Sequence, residues 1–327
     1  MNNTYFCFRI SRQGFECLLT TIQEFRNEDV EIRGRPMVDF KSELLIFLWY
    51  IANKVTIRDV ADRFGVCEAS VFRIRNRIAD MFVKKVMKKL IKFPDHENCV
   101  NTAESFENRY GFPGVVGAID GTHIRIPRPV VDGDQYFNRK DFYSLNTQVI
   151  CNFNLEFLDV FVGFPGRVHD ARVFHNSPIP EMLKQLNNAY HLLGDAAYPL
   201  LLGLLTPFRE TANMTPAQRK YNKVHSRARQ CVERSIGILK GRFRKLKDLE
   251  MVDIETMCKI IISTCCIHNI VIKLDSNERL YELFTQGEQD ENGLGREDTF
   301  GSLADIDVDA ADTRFQICND LARNRTQ

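Results

Sequence analysis

Three acidic residues that lie far apart along the chain have the type and setting expected of metal-binding carboxylates. Asp120 falls within a predicted strand, where an acid is disfavoured unless it has a specific role, and the glycine after it leaves room for a ligand to approach. Asp195 ends an apolar strand, also beside a glycine. Glu233 lies on a predicted helix with Gly237 one turn later, which indicates open space beside its carboxylate.

Each acid also has an ordinary structural interpretation. Asp120 could face water on an edge strand, and Asp195 could be a turn residue. Glu233 could form a surface ion pair with Arg229, four residues earlier on the same helix. A fourth acid, Asp170, stands where a strand leads into a helix, so it either caps that helix or contacts metal or substrate.

The chemistry that needs several carboxylates is the cutting of a phosphodiester bond. Two divalent ions about 3.5–4 Å apart stabilise charge on the attacking and leaving oxygens. Carboxylate oxygens are hard ligands that bind Mg²⁺ or Mn²⁺ without a closed protein cage. Since three clustered carboxylates repel one another, bound cations also relieve that repulsion. We therefore predict a site for Mg²⁺ or Mn²⁺, with two ions, at Asp120, Asp195 and Glu233.

Composition predicts a soluble, intracellular, globular protein. The chain has 327 residues, 44% of them hydrophobic, a length typical of two domains and a tail. No apolar run looks long enough to cross a bilayer, so no membrane contact is expected, and the N-terminus has no secretory pattern. The ten cysteines form no C-x-x-C pair and are interpreted as reduced thiols, including Cys258, Cys265 and Cys266. His123, His225 and His268 are interpreted as ordinary hydrogen-bonded side chains.

The net charge of +1 conceals two basic segments and one acidic segment. Residues 31–92 contain 14 Lys and Arg against 7 acids, and residues 219–247 contain 11 against 1. Residues 275–327 contain 5 against 13. Although a basic segment is often only a solvated helix face, two of them beside the acids favour nucleic-acid binding.

A helix-turn-helix motif is predicted between residues 56 and 78. Thr56 can cap a first helix, and Gly65 can take the left-handed conformation that ends it. A second, basic helix begins near Glu68, and in such motifs the second helix enters the major groove of DNA. An ordinary helical hairpin is the alternative. The predicted DNA contacts on this helix are Ser70, Arg73, Arg75 and Arg77.

An α/β domain is predicted to follow this helical region. Three strands within residues 115–164 have connections short enough to be antiparallel, and helices then alternate with strands as far as residue 272. That order is typical of the RNase H-like fold. We predict an all-α helix-turn-helix domain at residues 1–95, an RNase H-like domain at 96–275, and an acidic, glycine-interrupted, disordered tail at 276–327.

Four ordered blocks of the sequence resemble those of PIF/Harbinger-type DDE transposases and the related Harbinger transposase-derived nuclease family. They are GAIDGTHI (117–124), GRVHDARVF (166–174), LGDAAYP (193–199) and VERSIGILKGRF (232–243). The resemblance extends from about Phe40 to about Asp275. It implies an RNase H-like core in which Asp120, Asp195 and Glu233 match the Asp-Asp-Glu metal ligands, with Asp170 matching a further acid at the site.

The resemblance also implies hydrolysis or strand transfer of DNA, residence in the nucleus, and a separate Myb-like DNA-binding partner protein; a homo-oligomer is left open. Around Glu233 the predicted contacts to the DNA backbone are Arg229, Arg234, Lys240 and Arg242. The alternative function is a transposase-derived DNA-binding protein without turnover. An aspartyl-phosphate phosphatase is rejected, because Ala118 occupies the position of that enzyme's nucleophile.

Overall fold

A computed structural model describes residues 7–26, 38–288 and 307–323 of the chain. The chain divides into two compact units. The first comprises Met1–Lys92, Ile124–Leu145 and Ile236–Gly293, and the second comprises Phe93–His123, Asn146–Ser235 and Leu294–Gln327. These units differ from the predicted division at residues 95/96 and 275/276, because two later segments of the chain join the N-terminal helices.

The regular elements of the described residues follow one another in this order. The helices are α1 (Arg12–Arg26), α2 (Phe40–Ala52), α3 (Ile57–Phe64), α4 (Glu68–Met81), α5 (Met87–Leu90), α6 (His96–Tyr110), α7 (Asp170–Asn176), α8 (Ile179–Lys184), α9 (Pro216–Arg242), α10 (Ile254–Val271), α11 (Asn277–Glu288) and α12 (Val308–Arg323). The strands are β1 (Val115–Arg125), β2 (Ser144–Cys151), β3 (Phe157–Pro165), β4 (His191–Leu193) and β5 (Leu204–Leu205). A π-helical turn (Phe82–Val86) and 3-10 turns (Gly133–Tyr136, Arg244–Lys247, Ile272–Leu274) complete the list.

The predicted pair of helices around Gly65 is present in the first unit. Thr56 and Asp59 form a reciprocal capping box at the start of α3. Gly65 ends α3 with a φ of 64°, a conformation that costs glycine little because it has no Cβ. Val71 and Ile78 on α4 are fully buried, as their spacing predicts. The assignment of this pair as a helix-turn-helix DNA reader stays a prediction.

Helix α10 of the first unit is long and strongly apolar. The segment Ile254–Leu274 is long and apolar enough to cross a bilayer, so the prediction that no run reaches that length is wrong. However, 67% of its most apolar window is buried within the fold, where α10 packs against α1, α4 and α5. A buried core helix passes the same test of length and composition, so this feature is weak evidence for a membrane span.

The second unit is built mainly around a five-stranded sheet with the order β3-β2-β1-β4-β5. Strand β4 pairs in parallel with β1, and β5 pairs in parallel with β4. Residues 152–156 join the neighbouring strands β2 and β3, and this connection is too short for a parallel crossover. The chain is therefore mixed α/β, as predicted, whereas its assignment as RNase H-like stays a prediction.

Residues 170–186 form two helices and not the single helix that their pattern predicts. Ser177 is extended, with a ψ of 166°, and Pro178 follows it. A proline disfavours helical backbone at the residue before it and cannot donate a backbone hydrogen bond. The side chain of Ser177 caps the break, since its hydroxyl donates to the Phe174 carbonyl and accepts from the Ile179 N–H.

The prediction of a disordered tail is wrong for two segments, α11 and α12. Helix α12 buries an apolar stripe formed by Ala310, Ile317, Cys318 and Leu321. It packs beside β5, where the guanidinium of Arg314 lies 4.1 Å from the centre of the Phe208 ring. Acidic composition concealed this stripe, because helical spacing needs only one apolar face. The rest of the predicted tail, residues 289–306 and 324–327, lies outside the described residues.

Helix α11 packs closely against the C-terminal part of α9 through glycines. A Cβ at Gly237 would lie 2.6 Å from the Phe284 ring, and one at Gly241 would overlap the backbone carbonyl of Leu283. A Cβ at Gly287 would likewise overlap the Gly237 carbonyl. The space beside Gly237 is therefore filled by α11, and the interpretation that it leaves room beside Glu233 is wrong.

This packing makes Gly241→Ala a destabilising substitution. The added methyl group meets backbone, which cannot rotate away, so we expect the free energy of unfolding to fall by about 1–3 kcal/mol. Gly237→Ala is the matched control, because it meets only an aromatic ring and should cost less. Chemical denaturation of both variants measures this, and equal stabilities for the two variants would contradict the packing described.

Candidate active site

The register of the two central strands places two of the predicted acids side by side. Ala118 on β1 is paired with Leu193 on the parallel strand β4. Asp120 lies two residues further along β1, and Asp195 lies two residues beyond the end of β4. The two carboxylates are near enough for the charge of Asp195 to raise the pKa of Asp120. Asp195 also accepts a hydrogen bond from the Ala197 N–H at 2.9 Å, so its interpretation as a turn residue holds as well.

Helix α9 brings the third acid to this place together with an arginine. The guanidinium of Arg229 lies 3.3 Å from Asp120 Oδ2 through Nη1 and contacts Glu233 Oε1 through Nη2. The side chain of Arg229 is 17% exposed, and those of both acids are 19% exposed. The predicted ion pair of Glu233 is therefore present, but it is part of a half-buried cluster and not a surface feature.

Asp170 joins the cluster from the opposite side of β1. Its carboxylate lies over Gly121, where a Cβ would overlap it, and accepts a hydrogen bond from Asn146 Nδ2 at 2.9 Å. The cap of α7 is His169, and Asp170 is the first residue of the helix. The capping interpretation of Asp170 is therefore wrong, and the glycine after Asp120 makes room for this fourth acid.

Two polar side chains at this site were missed by sequence reasoning. The hydroxyl of Tyr198 is buried and has no hydrogen-bond partner among the described residues. Burial raises its pKa far above the ordinary value, and Asp170, Asp120 and Asp195 raise it further through their charges. Asn146 Oδ1 is likewise buried without a partner among those residues. Asn146 lies in a strand that also contains the buried polar residues Ser144, Thr147 and Gln148, so its residue type alone gave no signal.

The electrostatics of Asp120 reflect this crowding. Burial raises the pKa of the Asp120 carboxyl from 3.8 to about 7, and the charges of Asp195 and Glu233 raise it too. Arg229 and the Gly121 N–H act in the opposite direction. The cluster therefore holds more negative charge than its own fold neutralises.

These acids have the right chemistry for a hard divalent cation, since all their donor atoms are carboxylate oxygens. Within the ranges 7–26, 38–288 and 307–323, no three His, Cys, Asp or Glu side chains stand in a ready-made metal arrangement. Between Asp120 and Glu233 the Arg229 guanidinium occupies the place of a cation. The donor set fits Mg²⁺ or Mn²⁺ once this guanidinium moves away.

The predicted DNA contacts differ in their exposure. In the first unit Arg73 and Arg77 are exposed and Ser70 is half-buried, while Arg77 contacts Glu43. In the second unit Arg234 is exposed. The prediction is wrong for three cations that are buried in the first unit: Arg75, Lys240 and Arg242.

Two of the three buried cations, Arg75 and Arg242, have contacts that are typical of structural residues. The Arg75 guanidinium donates to Asn76 Oδ1 and lies 4.6 Å from the centre of the Phe72 ring. Arg242 contacts the Asp275 carboxylate and donates to the Arg9 carbonyl. Helical periodicity turns these residues towards the interior, a fact that a count of basic residues does not reveal.

Other predicted features have clear outcomes. His225 is buried and hydrogen-bonds the Leu205 carbonyl at 3.1 Å, as an ordinary structural histidine. The three clustered cysteines are free thiols, with Cys265 and Cys266 buried.

Comparison with known proteins agrees with the arrangement of the acids. The family model described as DDE superfamily endonuclease matches residues 119–269, which contain all four acids. The nuclease HARBI1 of Rattus norvegicus is 29% identical over 238 residues, covering 71% of this chain and 67% of that protein. HARBI1 of Mus musculus is 29% identical over 274 residues, covering 82% and 77%. The ALP1-like protein of Arabidopsis thaliana is 26% identical over 289 residues, covering 82% and 70%. No solved structure matches the chain.

The raised pKa of Asp120 predicts a pH-dependent stability in the absence of metal. Between pH 3.8 and about 7 the folded protein retains a proton that the unfolded chain releases, so this stabilisation is lost as the pH rises through 7. The slope should reach at most about 1.4 kcal/mol per pH unit. Urea unfolding in EDTA at pH 5 to 8 should show this loss in the native protein and a weaker one in Asp120→Asn. A difference between the two proteins that stays constant with pH would contradict it.

Proposed function

We propose that this chain is a member of the Harbinger transposase-derived family of DDE superfamily endonucleases and a divalent-metal-dependent nuclease that cuts the phosphodiester bonds of DNA. The observation that carries the proposal is the meeting of Asp120, Asp195 and Glu233, which come from β1, the end of β4 and α9. Nothing in the packing of a binding protein requires three carboxylates at one half-buried place, since each raises the cost of ionising the others.

The chain's own side chains would divide the work in the following way. Asp120 stands on β1 and Asp195 lies two residues beyond the end of the parallel neighbour β4, so paired strands would fix the backbone on which both carboxylates depend. Glu233 approaches on a helix, and Asn146 orients the carboxylate of Asp170. These acids would hold two ions of Mg²⁺ or Mn²⁺. When bound, such ions stabilise negative charge on the attacking and leaving oxygens.

The attacking group would be water for cutting or a DNA 3′-hydroxyl for joining. The Tyr198 hydroxyl, which has no hydrogen-bond partner among the described residues, is a buried donor beside the acids, and it would donate to an oxygen of the substrate. A donor that the fold leaves unsatisfied costs free energy until a ligand accepts from it, which supports substrate contact at this position.

For DNA binding we propose that α4 is the reading helix of a helix-turn-helix. Arg73 and Arg77 are exposed on it, with Ser70 near its N-terminal end. In the second unit, Arg234 is an exposed cation on the helix that carries Glu233. Nuclear residence and a Myb-like partner are proposed from the family alone.

The second candidate, a DNA-binding protein without turnover, is less well supported because the carboxylate cluster is intact. The two functions differ in one measurable property, which is cleavage of DNA that depends on metal and on the acids.

Loss of any of the three acids should abolish cleavage. We expect Asp120→Asn, Asp195→Asn and Glu233→Gln each to lower Mg²⁺- or Mn²⁺-dependent nicking of a labelled duplex by more than about 100-fold. That exceeds the roughly 10–100-fold effect typical of a residue that only supports a ligand, which is what we expect for Asn146→Ala. Glu181→Gln, an exposed acid in an ion pair with Lys184, is the control that should cleave normally. Duplex binding without cleavage at every metal concentration in the native protein would favour the second candidate.

Replacement of an exposed arginine on α4 should change the salt dependence of DNA binding. Because a phosphate contact releases counterions, Arg73→Gln should flatten the slope of log affinity against log salt by about one unit. Arg12→Gln, an exposed arginine on α1 paired with Glu16, should leave the slope as it is. Fluorescence anisotropy at several salt concentrations measures both, and an unchanged slope in Arg73→Gln would remove this residue from the interface.

A further inference from the structure

The guanidinium of Arg229 is shared between two of the proposed metal ligands. One nitrogen lies 3.3 Å from Asp120 Oδ2 and the other contacts Glu233 Oε1, so a single side chain joins β1 to α9. All three side chains are at most 19% exposed, so solvent screens these charges only weakly. Arg229 therefore offsets part of the negative charge of Asp120 and Glu233.

This neutralisation has a cost for metal binding. The oxygens that accept from Arg229 are the ones that an ion between Asp120 and Glu233 needs, so cation and guanidinium compete for them. A divalent ion placed beside a fixed positive charge is also repelled by it. Metal can occupy these oxygens fully only when Arg229 leaves them.

A DNA phosphate is the group best suited to compete with Asp120 and Glu233 for the Arg229 guanidinium. The planar guanidinium binds phosphate oxygens in the same two-pronged geometry that it uses with carboxylates. Exposed cations that would attract a phosphate backbone lie on the same helix within the second unit: Arg219, Lys223, Arg227 and Arg234. These cations would hold a phosphate backbone against the helix that also carries Arg229.

We propose that Arg229 couples DNA binding to metal loading, neutralising Asp120 and Glu233 in the free protein and releasing them to divalent cations when a DNA phosphate takes its guanidinium. This inference rests on the proposed nuclease function. By thermodynamic reciprocity, metal must tighten DNA binding by the same factor as DNA tightens metal binding. The free protein would thus bind divalent cations weakly, and it would become able to cleave only when DNA is bound.

The test is a Mn²⁺ titration of the full chain, followed by the electron paramagnetic resonance signal of free Mn²⁺. It is run with and without a 30-base-pair duplex of random sequence, and Mn²⁺ bound by the duplex alone is subtracted. Without DNA we expect Arg229→Gln to bind Mn²⁺ at least about tenfold more tightly than the native protein. Adding duplex should tighten binding by the native protein by a similar factor and leave Arg229→Gln unchanged.

Two further variants make the result specific. Arg12→Gln removes an exposed arginine on α1 that is paired with Glu16 and lies outside the proposed DNA contacts, and it should behave as the native protein does. Arg229→Lys keeps the charge but loses the two-pronged geometry, so its affinity for Mn²⁺ should lie between those of the native protein and Arg229→Gln. If Arg229→Gln fails to fold, the lysine variant decides the question, and an affinity equal to the native value would overturn the proposal.

The outcomes separate this inference from the function on which it rests. Equal or weaker Mn²⁺ binding by Arg229→Gln, with Mn²⁺ bound by the native protein, would overturn the coupling and leave the nuclease proposal standing. Absence of Mn²⁺ binding in every variant, with or without duplex, would overturn the metal-dependent nuclease and the coupling together.

Discussion

Mutual repulsion among carboxylates is the constraint around which the second unit is arranged. Asp120 and Asp195 are adjacent because β1 and β4 run in parallel with Ala118 opposite Leu193, and Glu233 is added by α9. Bringing such charges into a half-buried place is unfavourable unless cations or hydrogen bonds offset it. Burial raises the pKa of Asp120, Arg229 lowers it, and the charges of Asp195 and Glu233 raise it further. The pKa stays raised, so the fold offsets the cost of ionising Asp120 only partly.

Two buried polar atoms at this place are also without partners. Asn146 Oδ1 and the Tyr198 hydroxyl have no hydrogen-bond partners among the described residues, and both belong to segments that adjoin the acids. Native proteins satisfy most such groups, so each of these two is a candidate contact for a ligand. The hydrogen bond from Asn146 Nδ2 to Asp170 shows that the same side chain also orients an acid. Asn146 thus orients Asp170 through its Nδ2 and leaves its Oδ1 without a partner among the described residues.

Sequence reasoning succeeded where the signal is local. Capping preferences predict that Thr56 begins a helix and that Gly65 ends it. Asp120 and Asp195 stand out as acids at apolar strands. It failed where burial depends on distant parts of the chain. An arginine four residues before a glutamate looks the same on an exposed helix as in the Arg229 cluster, and Arg242 counts as a basic residue although it is fully buried. Gly237 indicated empty space, yet only the position of α11 shows that the space is occupied.

The docking of α12 has a practical consequence for anyone shortening this protein. The Asp307 N–H donates to the Leu200 carbonyl, Lys220 contacts the Leu321 carbonyl, and Phe315 packs edge-on against Phe208. A fragment that stops at Asp275, where the family resemblance fades, would uncover aromatic surface beside the edge strand β5. Uncovered strand edges recruit other chains, so such a fragment would be prone to aggregate although every acid of its site is present.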